Sequence, residues 1–324
     1  MRKLLKAVTI VVIGVVVLAL GAYGWAYHRA MARYETKWSA HDASFPIPFP
    51  LDSAEAASLA KGGPSADPSA EMAASARAVH RGEHLVTSRL GCNGCHGDDF
   101  GGKVLVDVPI VGTWAAPNLT LGNGGVTAGF SANDWDLAVR HGIKHTGTSS
   151  SMPCADFTTV ADHELSDVVA YIRSRPPVDR SVPSLRLGPV FALVLANDPK
   201  ALAAFVIDHA RPHAVEPPEE AVTLGFGEHL VQGCRGCHRA NLSGGKVTGD
   251  PNMPFVRNIT PDTSGIGRWT QADFVRAMRE GRRPDGGAID PAMPWKTFRN
   301  MDDTELAALW GYLRATPPLP TDTR

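Results

Sequence analysis

The first feature of the hydrophobic pattern is an apolar run close to the N-terminus. Basic residues occur within positions 2–6, the run extends over residues 7–22, and three aromatic residues follow within 23–27. A secretory signal peptide has a shorter apolar region and a small-residue cleavage site, whereas a spanning helix needs about 20 apolar residues and often carries an aromatic belt. We therefore favour an uncleaved transmembrane anchor at residues 1–30 over a signal peptide. Both interpretations place the rest of the chain in the periplasm.

Short amphipathic helices are predicted at matching places in the two halves of the chain. Apolar residues with helical spacing end each half, at Leu165, Val168, Val169 and Ile172 and at Leu306, Leu309, Trp310 and Leu313. An earlier helix in each half begins with a capping-box pattern and stops at a glycine, as shown by Ser131, Asp134 and Gly142 and by Thr270, Asp273 and Gly281. No stretch shows the sustained alternation of a strand, so the pattern favours helices and loops.

The order of short motifs shows that the chain contains an internal repeat. Gly-Glu-His-Leu-Val occurs at 82–86 and 227–231, and Gly-Cys-x-Gly-Cys-His occurs at 91–96 and 233–238. Gly-Gly-Lys-Val, Asn-Leu/Ile-Thr, Met-Pro and Tyr-Ile/Leu-Arg then follow in the same order in both halves. Because order and spacing are kept, the sequence predicts a duplicated domain.

The repeat divides the chain into an anchor, two domains and two linkers. After the anchor, a linker at 31–75 leads to a first domain at 76–178. A second linker at 179–221, which is apolar and rich in proline, leads to a second domain at 222–324.

The composition of the two linkers predicts different behaviour. Residues 45–68 are rich in proline, serine, alanine and glycine, which is typical of a tether. The apolar pieces at 189–196 and 201–207 are each too short to span a bilayer. We interpret them as a linker helix packed between the domains, and the alternative is a helix on the membrane surface or against a partner subunit.

The signature Cys-x-x-Cys-His occurs once in each domain, at Cys92, Cys95 and His96 and at Cys234, Cys237 and His238. It is the attachment signature of c-type haem. Two thiols about one helical turn apart each form a thioether with one vinyl group of the same porphyrin, and the adjacent imidazole reaches the iron. Zinc ribbons need their two cysteine pairs roughly 15–20 residues apart, and thioredoxin-like motifs need a βαβ context. The sequence therefore predicts two covalently bound haem c groups, each with its iron.

Two methionines are the candidate axial ligands on the other face of each haem. Met152 follows His96 at nearly the same interval as Met293 follows His238, and each methionine precedes a proline. Proline fixes φ and removes a backbone donor, which suits a rigid ligand loop. A thioether ligand favours ferrous iron and raises the reduction potential. The alternative is that both are ordinary core methionines.

Other histidines and the fifth cysteine are weaker candidates. We interpret His84 and His229 as packing or surface residues. His141 and His145 are alternative ligands for the first haem. Cys154 is most simply a small buried residue, and a thiolate ligand or redox switch at the first haem is the alternative.

Charge excludes one class of function. The chain has 324 residues and a net charge of −1, and no basic stripe with interleaved aromatic residues is present, so we expect no nucleic-acid partner. No acid–base pair or nucleophile constellation stands out, so we assign no catalytic residue.

The chain resembles diheme members of the class I cytochrome c family, and in particular the cytochrome c subunits of membrane-bound alcohol, aldehyde and sugar dehydrogenases. The resemblance rests on residues 91–97 and on the segments at 257–262, 265–269, 291–295 and 303–313. It implies an all-α fold of two tandem cytochrome c domains after an N-terminal transmembrane helix. It also implies His96 and His238 as proximal ligands and Met152 and Met293 as distal ones. Those subunits usually carry three haem motifs, and this chain has two.

The resemblance and the motifs together give an expected function. We expect a diheme c-type cytochrome in the inner membrane that transfers electrons in a periplasmic respiratory chain. The donor would be a quinol, a quinol-oxidising complex or a dehydrogenase, and the acceptor a terminal oxidase or another terminal acceptor. The alternative is a diheme enzyme of the peroxidase or thiosulfate dehydrogenase type, with an open or Cys154-ligated first haem.

Overall fold

The computed structural model of the protein describes residues 2–53, 55, 57, 70–246 and 254–322. The described chain is rich in helices. In chain order they are α1 (Arg2–Tyr34), α2 (Ala70–His84), α3 (Cys92–His96), α4 (Ala132–Val139), α5 (Asp162–Ser174), α6 (Pro189–Asn197), α7 (Leu224–His238), α8 (Gln271–Glu280), α9 (Trp295–Phe298) and α10 (Asp303–Ala315). A π-helical segment follows α2, and three short 3₁₀ turns lie at Cys154–Phe157, Pro199–Ala201 and Ala203–Phe205.

A small antiparallel sheet accompanies these helices, which the hydrophobic pattern did not indicate. Strand β1 (Lys103–Val108) pairs with β2 (Gly112–Ala116), which pairs with the two-residue β3 (Arg186–Leu187). The side chains of β1 are mostly exposed on both faces. Alternation arises where one face of a strand is buried, so this hairpin carries no such signal.

Helix α1 is long and apolar enough to cross a membrane. Its side chains are exposed over residues 4–22, but its last turns are packed against the second linker. There Ala26 and Ala30 are buried against Leu195 and Leu202, and the Arg33 guanidinium donates a hydrogen bond to the Leu195 carbonyl oxygen. The small side chains of α1 let α6 approach closely, so the second linker lies against the end of α1.

Each half of the chain has its own buried core, built around one pair of crossing helices. In the first half α2 packs against α5, and in the second half α7 packs against α10. The apolar residues expected on the last helices are buried in these cores, with exposures of 0 to 3% for Leu165, Val168, Val169, Ile172, Leu306, Leu309 and Leu313. Trp310 packs at the edge of the second core.

The crossing points of these helices explain the repeated glycine. A Cβ atom on Gly82 would lie 2.0 Å from the Asp167 carbonyl oxygen, and one on Gly227 would lie 2.3 Å from the Ala308 carbonyl oxygen. Neither distance is compatible with a side chain, so each crossing requires glycine. The two capping boxes are also present, Ser131 with Asp134 and Thr270 with Asp273.

The first linker is partly packed onto the first half, in contrast to the tether that its composition predicts. Phe45 is buried in the first core. The Ser166 hydroxyl donates to the Pro46 carbonyl oxygen at 2.8 Å, and the Arg77 guanidinium donates to that of Phe49 at 2.9 Å. Apolar residues among the prolines thus hold residues 45–49 in place. Most of the remaining proposed tether, residues 58–69, lies outside the described residues.

The two halves meet at a buried network of charged side chains. His84 donates to Glu305 across the junction at 2.9 Å, and the equivalent His229 donates to Glu164 at 2.9 Å. Arg89 lies between them and binds both carboxylates, with a distance of 3.1 Å to Glu164. The network is nearly two-fold symmetric apart from this one arginine.

Arg89 comes from a local lengthening of the first copy of the repeat. Four residues separate Val86 from Gly91, whereas one separates Val231 from Gly233. The extra residues are accommodated in the π-helical segment Leu85–Leu90, which places Arg89 against the second half. A π-bulge of this kind is often found at a functional position.

Titration of the network follows from its contacts. Burial alone would raise the pKa of Glu305 and Glu164, but the hydrogen bonds from His84 and His229 and the charge of Arg89 lower both pKa values below their usual range. A carboxylate with a lowered pKa stabilises the fold above its unfolded pKa and loses that contribution as the pH falls through the folded pKa. We therefore expect the junction to weaken under acidic conditions.

We predict that Arg89→Met strongly destabilises the protein. Arg89 and both carboxylates are at least nine-tenths buried, so the substitution leaves two carboxylates without their shared cation, at a cost of about 3–5 kcal/mol. Urea denaturation of the purified holoprotein measures the effect. Arg180→Met is the control, because its pair with Asp99 is exposed and contributes at most about 1 kcal/mol. If the two substitutions lowered the free energy of unfolding equally, Arg89 would not be the shared partner of the two buried carboxylates.

Candidate functional site

The two Cys-x-x-Cys-His motifs lie on helices. The first motif forms the short helix α3, which follows Gly91 in a left-handed conformation (φ 63°), and the second ends α7. The helical conformation puts the two cysteines of each motif about one turn apart, as two thioether bonds to one porphyrin require.

The histidine of each motif is held by the same backbone contact. His96 Nδ1 lies 2.9 Å from the Pro117 carbonyl oxygen, and His238 Nδ1 lies 2.7 Å from that of Arg257. A carbonyl only accepts, so Nδ1 carries the hydrogen and Nε2 keeps its lone pair. Both rings are buried, and burial lowers their pKa, so both are neutral at pH 7. This is the state in which an imidazole ligates a metal, with its other nitrogen bound to an acceptor. The donor set therefore fits haem iron in both halves.

The loops that carry these carbonyl oxygens are fixed by the repeated Asn-Leu/Ile-Thr motif. The Asn118 side chain donates to the Val178 carbonyl oxygen at 2.7 Å and accepts from the Thr120 backbone amide at 2.9 Å. Asn258 makes the matching contacts, with the Leu319 carbonyl oxygen and the Thr260 amide. Sequence reasoning found this motif as part of the repeat but assigned it no role. Its position shows that it orients the segment next to His96 and next to His238.

Three cysteines of the two motifs have thiol pKa values that burial raises. Burial raises the pKa of Cys92 and of Cys234 to about 12, and it also raises the pKa of Cys237. These thiols are therefore neutral, and Cys92 and Cys234 pack against the apolar cores of the two halves.

Met152 and Met293 lie in loops of the same backbone form. The Cys154 amide donates to the Met152 carbonyl oxygen and the Trp295 amide to that of Met293, both at 2.8 Å. The intervening prolines have φ and ψ of −75° and 56° in the first half and −77° and 47° in the second. The two candidate ligand loops are thus built alike, and Met293 packs against the second core.

Cys154 occupies the position that Trp295 takes in the second half. A Cβ atom on Gly281 would lie 2.5 Å from the Trp295 ring, whereas one on the equivalent Gly142 would lie 2.5 Å from Ala203 of the second linker. The linker therefore fills the space of the missing indole. The Cys154 thiol is fully buried, lies 3.3 Å from the Ala138 carbonyl oxygen, and burial raises its pKa to about 12. These properties describe a neutral packed thiol.

The remaining histidine candidates lie in three different environments. His84 and His229 belong to the charged junction described above. His145 is exposed and lies 3.1 Å from Asp134. His141 is fully buried among other histidines.

Comparison with known proteins gives the family of one part of the chain. The sequence profile of the family described as Cytochrome c matches residues 226–317. A nicotinate dehydrogenase subunit of Pseudomonas putida is 44% identical over 94 residues, which cover 26% of this chain and 8% of that protein.

Two further relatives are cytochromes by name. The gluconate 2-dehydrogenase cytochrome c subunit of Pantoea cypripedii is 27% identical over 277 residues, covering 73% of this chain and 59% of the relative. A diheme cytochrome c-type protein of Cereibacter sphaeroides is 35% identical over 97 residues, covering 26% of this chain and 33% of the relative. The chain thus spans less than two thirds of each relative. Residues 226–317 are therefore a cytochrome c domain, the kind of domain that carries covalently attached haem c, and the chain as a whole is similar to the cytochrome c subunits of dehydrogenases.

Proposed function

We propose that the chain is a membrane-anchored diheme cytochrome that relays electrons on the periplasmic side of the inner membrane. The observation that carries this proposal is the pair of equivalent contacts from His96 and His238 to backbone carbonyl oxygens. Each contact leaves Nε2 of a buried, neutral ring available to iron beside two cysteines. The same arrangement in both halves supports one haem in each.

The proposed haems are held by six residues in the attachment motifs and two in the loops that follow. Cys92, Cys95, Cys234 and Cys237 would form the thioether bonds, with His96 and His238 as proximal and Met152 and Met293 as distal ligands. Haem c, when bound, supplies one-electron ferric–ferrous chemistry. With a histidine and a methionine holding each iron, no substrate would reach it, so the chain would act as a carrier and not as a catalyst.

The junction between the halves supports a relay. Arg89 and the two histidine–glutamate pairs join the two haem-binding halves through buried charge-assisted contacts. Such contacts have a defined geometry. They therefore hold the two halves in one arrangement, as efficient transfer between two centres requires.

The proposed electron donor is a dehydrogenase. This part of the proposal rests on the names of the relatives, which are subunits of nicotinate and gluconate dehydrogenases. A quinol-oxidising complex is an alternative donor, and a terminal oxidase or another periplasmic redox protein is the proposed acceptor.

Carbon monoxide tests the relay directly, because it binds ferrous haem only where an axial position is open. We expect the visible spectrum of the reduced wild-type holoprotein to be unchanged by carbon monoxide. We expect Met152→Ala and Met293→Ala each to bind it at about half of the total haem, because each opens one of the two sites.

Met72→Ala is the matched control, because Met72 is an exposed methionine of α2 outside both ligand loops. It should behave as wild type. If carbon monoxide bound to half of the haem of the wild-type protein, the electron-carrier proposal would be rejected and the diheme enzyme would be favoured. If neither methionine variant binds carbon monoxide, these methionines are not the distal ligands.

The membrane part of the proposal is supported by exposed apolar surface next to α1. Val190, Leu193 and Val194 of α6 are between 38 and 46% exposed, and α6 packs against the end of α1. In the neighbouring hairpin, Val104, Leu105, Val108 and Ile110 are exposed as well. Side chains of this kind suit the interface of a bilayer.

We predict that the full chain stays in the membrane fraction after an alkaline carbonate wash. A variant in which a cleavable signal peptide replaces residues 1–22 should appear in the soluble periplasmic fraction with its haem. The exposed apolar helix would no longer be present to insert into lipid. If the protein expressed from the full-length gene were soluble, and mass spectrometry showed that its N-terminus had been cleaved, α1 would be a signal peptide.

A further inference from the structure

A cluster of three histidines and one aspartate lies where both linkers meet the first half of the chain. Its members are His41, Asp136, His141 and His213, and their potential ligand atoms all lie within 4.8 Å of one another. His41 comes from the first linker and His213 from the second, while Asp136 lies in α4 and His141 just after it. None of the four belongs to the haem motifs. Asp136 and His141 are fully buried.

The hydrogen-bond partners of two outer histidine atoms indicate which nitrogens carry hydrogen. His213 Nδ1 lies 3.2 Å from the Thr158 carbonyl oxygen, so Nδ1 donates and Nε2 keeps its lone pair. His209 Nε2 lies 2.9 Å from the Ala204 carbonyl oxygen, so His209 keeps its lone pair on Nδ1.

These two assignments determine the third. His141 Nδ1 lies 3.2 Å from His209 Nδ1 and must therefore donate to it, which leaves the lone pair of His141 on Nε2. His141 Nε2 lies 3.1 Å from His213 Nε2. Two bare lone pairs at this distance repel unless a cation lies between them.

The charges around the cluster also favour a cation. Asp136 Oδ1 accepts a hydrogen bond from Arg140 at 2.5 Å, and Asp162 lies 2.8 Å from the same guanidinium. One buried arginine therefore faces two carboxylates, which leaves an excess of one negative charge. Asp136 Oδ2 is buried and accepts no hydrogen bond from any residue that the structure describes. An unsatisfied buried carboxylate oxygen is costly.

The spacing of the atoms suits a tetrahedral ion. His141 Nε2 lies 3.5 Å from Asp136 Oδ2, and His213 Nε2 lies 3.7 Å from Asp136 Oδ1. Bonds of about 2.0–2.1 Å to a tetrahedral Zn²⁺ place neighbouring ligand atoms about 3.3 Å apart. The separations of 3.1 and 3.5 Å lie on either side of this value. Three imidazoles and one carboxylate are also a donor set that suits zinc.

We propose that this cluster binds one divalent transition-metal ion, with Zn²⁺ as the ion that its donors fit. The ligands are His41, Asp136, His141 and His213. His209 is a positioning residue, because its contact with His141 Nδ1 turns the other nitrogen of that ring toward the ion. The metal joins segments that are far apart in sequence, and so fastens both linkers to the first half of the chain. Candidate ions reach the site from the exposed side of His41.

Metal analysis and calorimetry of the untagged holoprotein test the proposal. We expect one zinc per chain in addition to the haem iron, and one Zn²⁺ taken up per chain after the protein has been treated with a chelator. His41→Ala and His213→Ala should each weaken Zn²⁺ binding by about 100-fold or more, and His209→Ala by about 10- to 100-fold. X-ray absorption at the zinc edge should show nitrogen and oxygen neighbours and no sulfur.

His145→Ala is the matched control, because His145 is an exposed histidine close in sequence that pairs with Asp134 outside the cluster. It should bind Zn²⁺ as wild type does. His41 is exposed, so its loss should leave the fold intact, and an unchanged haem spectrum verifies this. The metal site would be overturned if the wild-type protein took up no Zn²⁺, or if His41→Ala and His213→Ala took up as much Zn²⁺ as the wild type. Either result would indicate that His141 and His213 share a proton instead. Copper at one per chain would overturn the assignment to zinc.

Discussion

The close crossing of two helices at a glycine is the constraint on which each half of this molecule depends. At Gly82 and Gly227 the backbones approach so closely that any side chain would overlap a carbonyl oxygen. The crossing brings the helix that leads into the cysteines against the last helix of the same half. This contact forms the core and sets where the attachment motif begins. Since the same glycine recurs in both copies, the two cores are built in the same way, and His96 and His238 make the same hydrogen bond.

Two of the differences between the copies have a structural consequence. The longer turn after α2 places Arg89 between two glutamates, each of which also pairs with a histidine across the junction. The exchange of an indole for the small Cys154 makes room for the second linker, whose Ala203 occupies that space. A duplicated domain with two identical copies would have neither feature. The differences join the two copies to each other and to the linkers.

Features that depend on local sequence were predictable, and features that depend on distant contacts were not. The last helices, their buried faces and both capping boxes follow from residues within a few positions of one another, and the structure confirms them. The hairpin at residues 103–116 was missed because β1 is exposed on both faces and β2 has no alternating buried face. Phe45 was placed in a tether because composition carries no information on what an aromatic residue packs against. His41 and His213 are far apart in sequence, so no motif could bring them together with His141.

The packing of α6 on α1 has a consequence for how the molecule sits at the bilayer. Helix α1 runs from Arg2 to Tyr34, and its last turns are buried against the linker rather than leading into a loose connection. With residues 2–22 in lipid, as proposed, the soluble part would lean with the anchor and could not swivel freely about it. A partner would then find only certain faces accessible above the membrane. The alanines at 26 and 30 would thus restrict the angle from which an electron donor can approach.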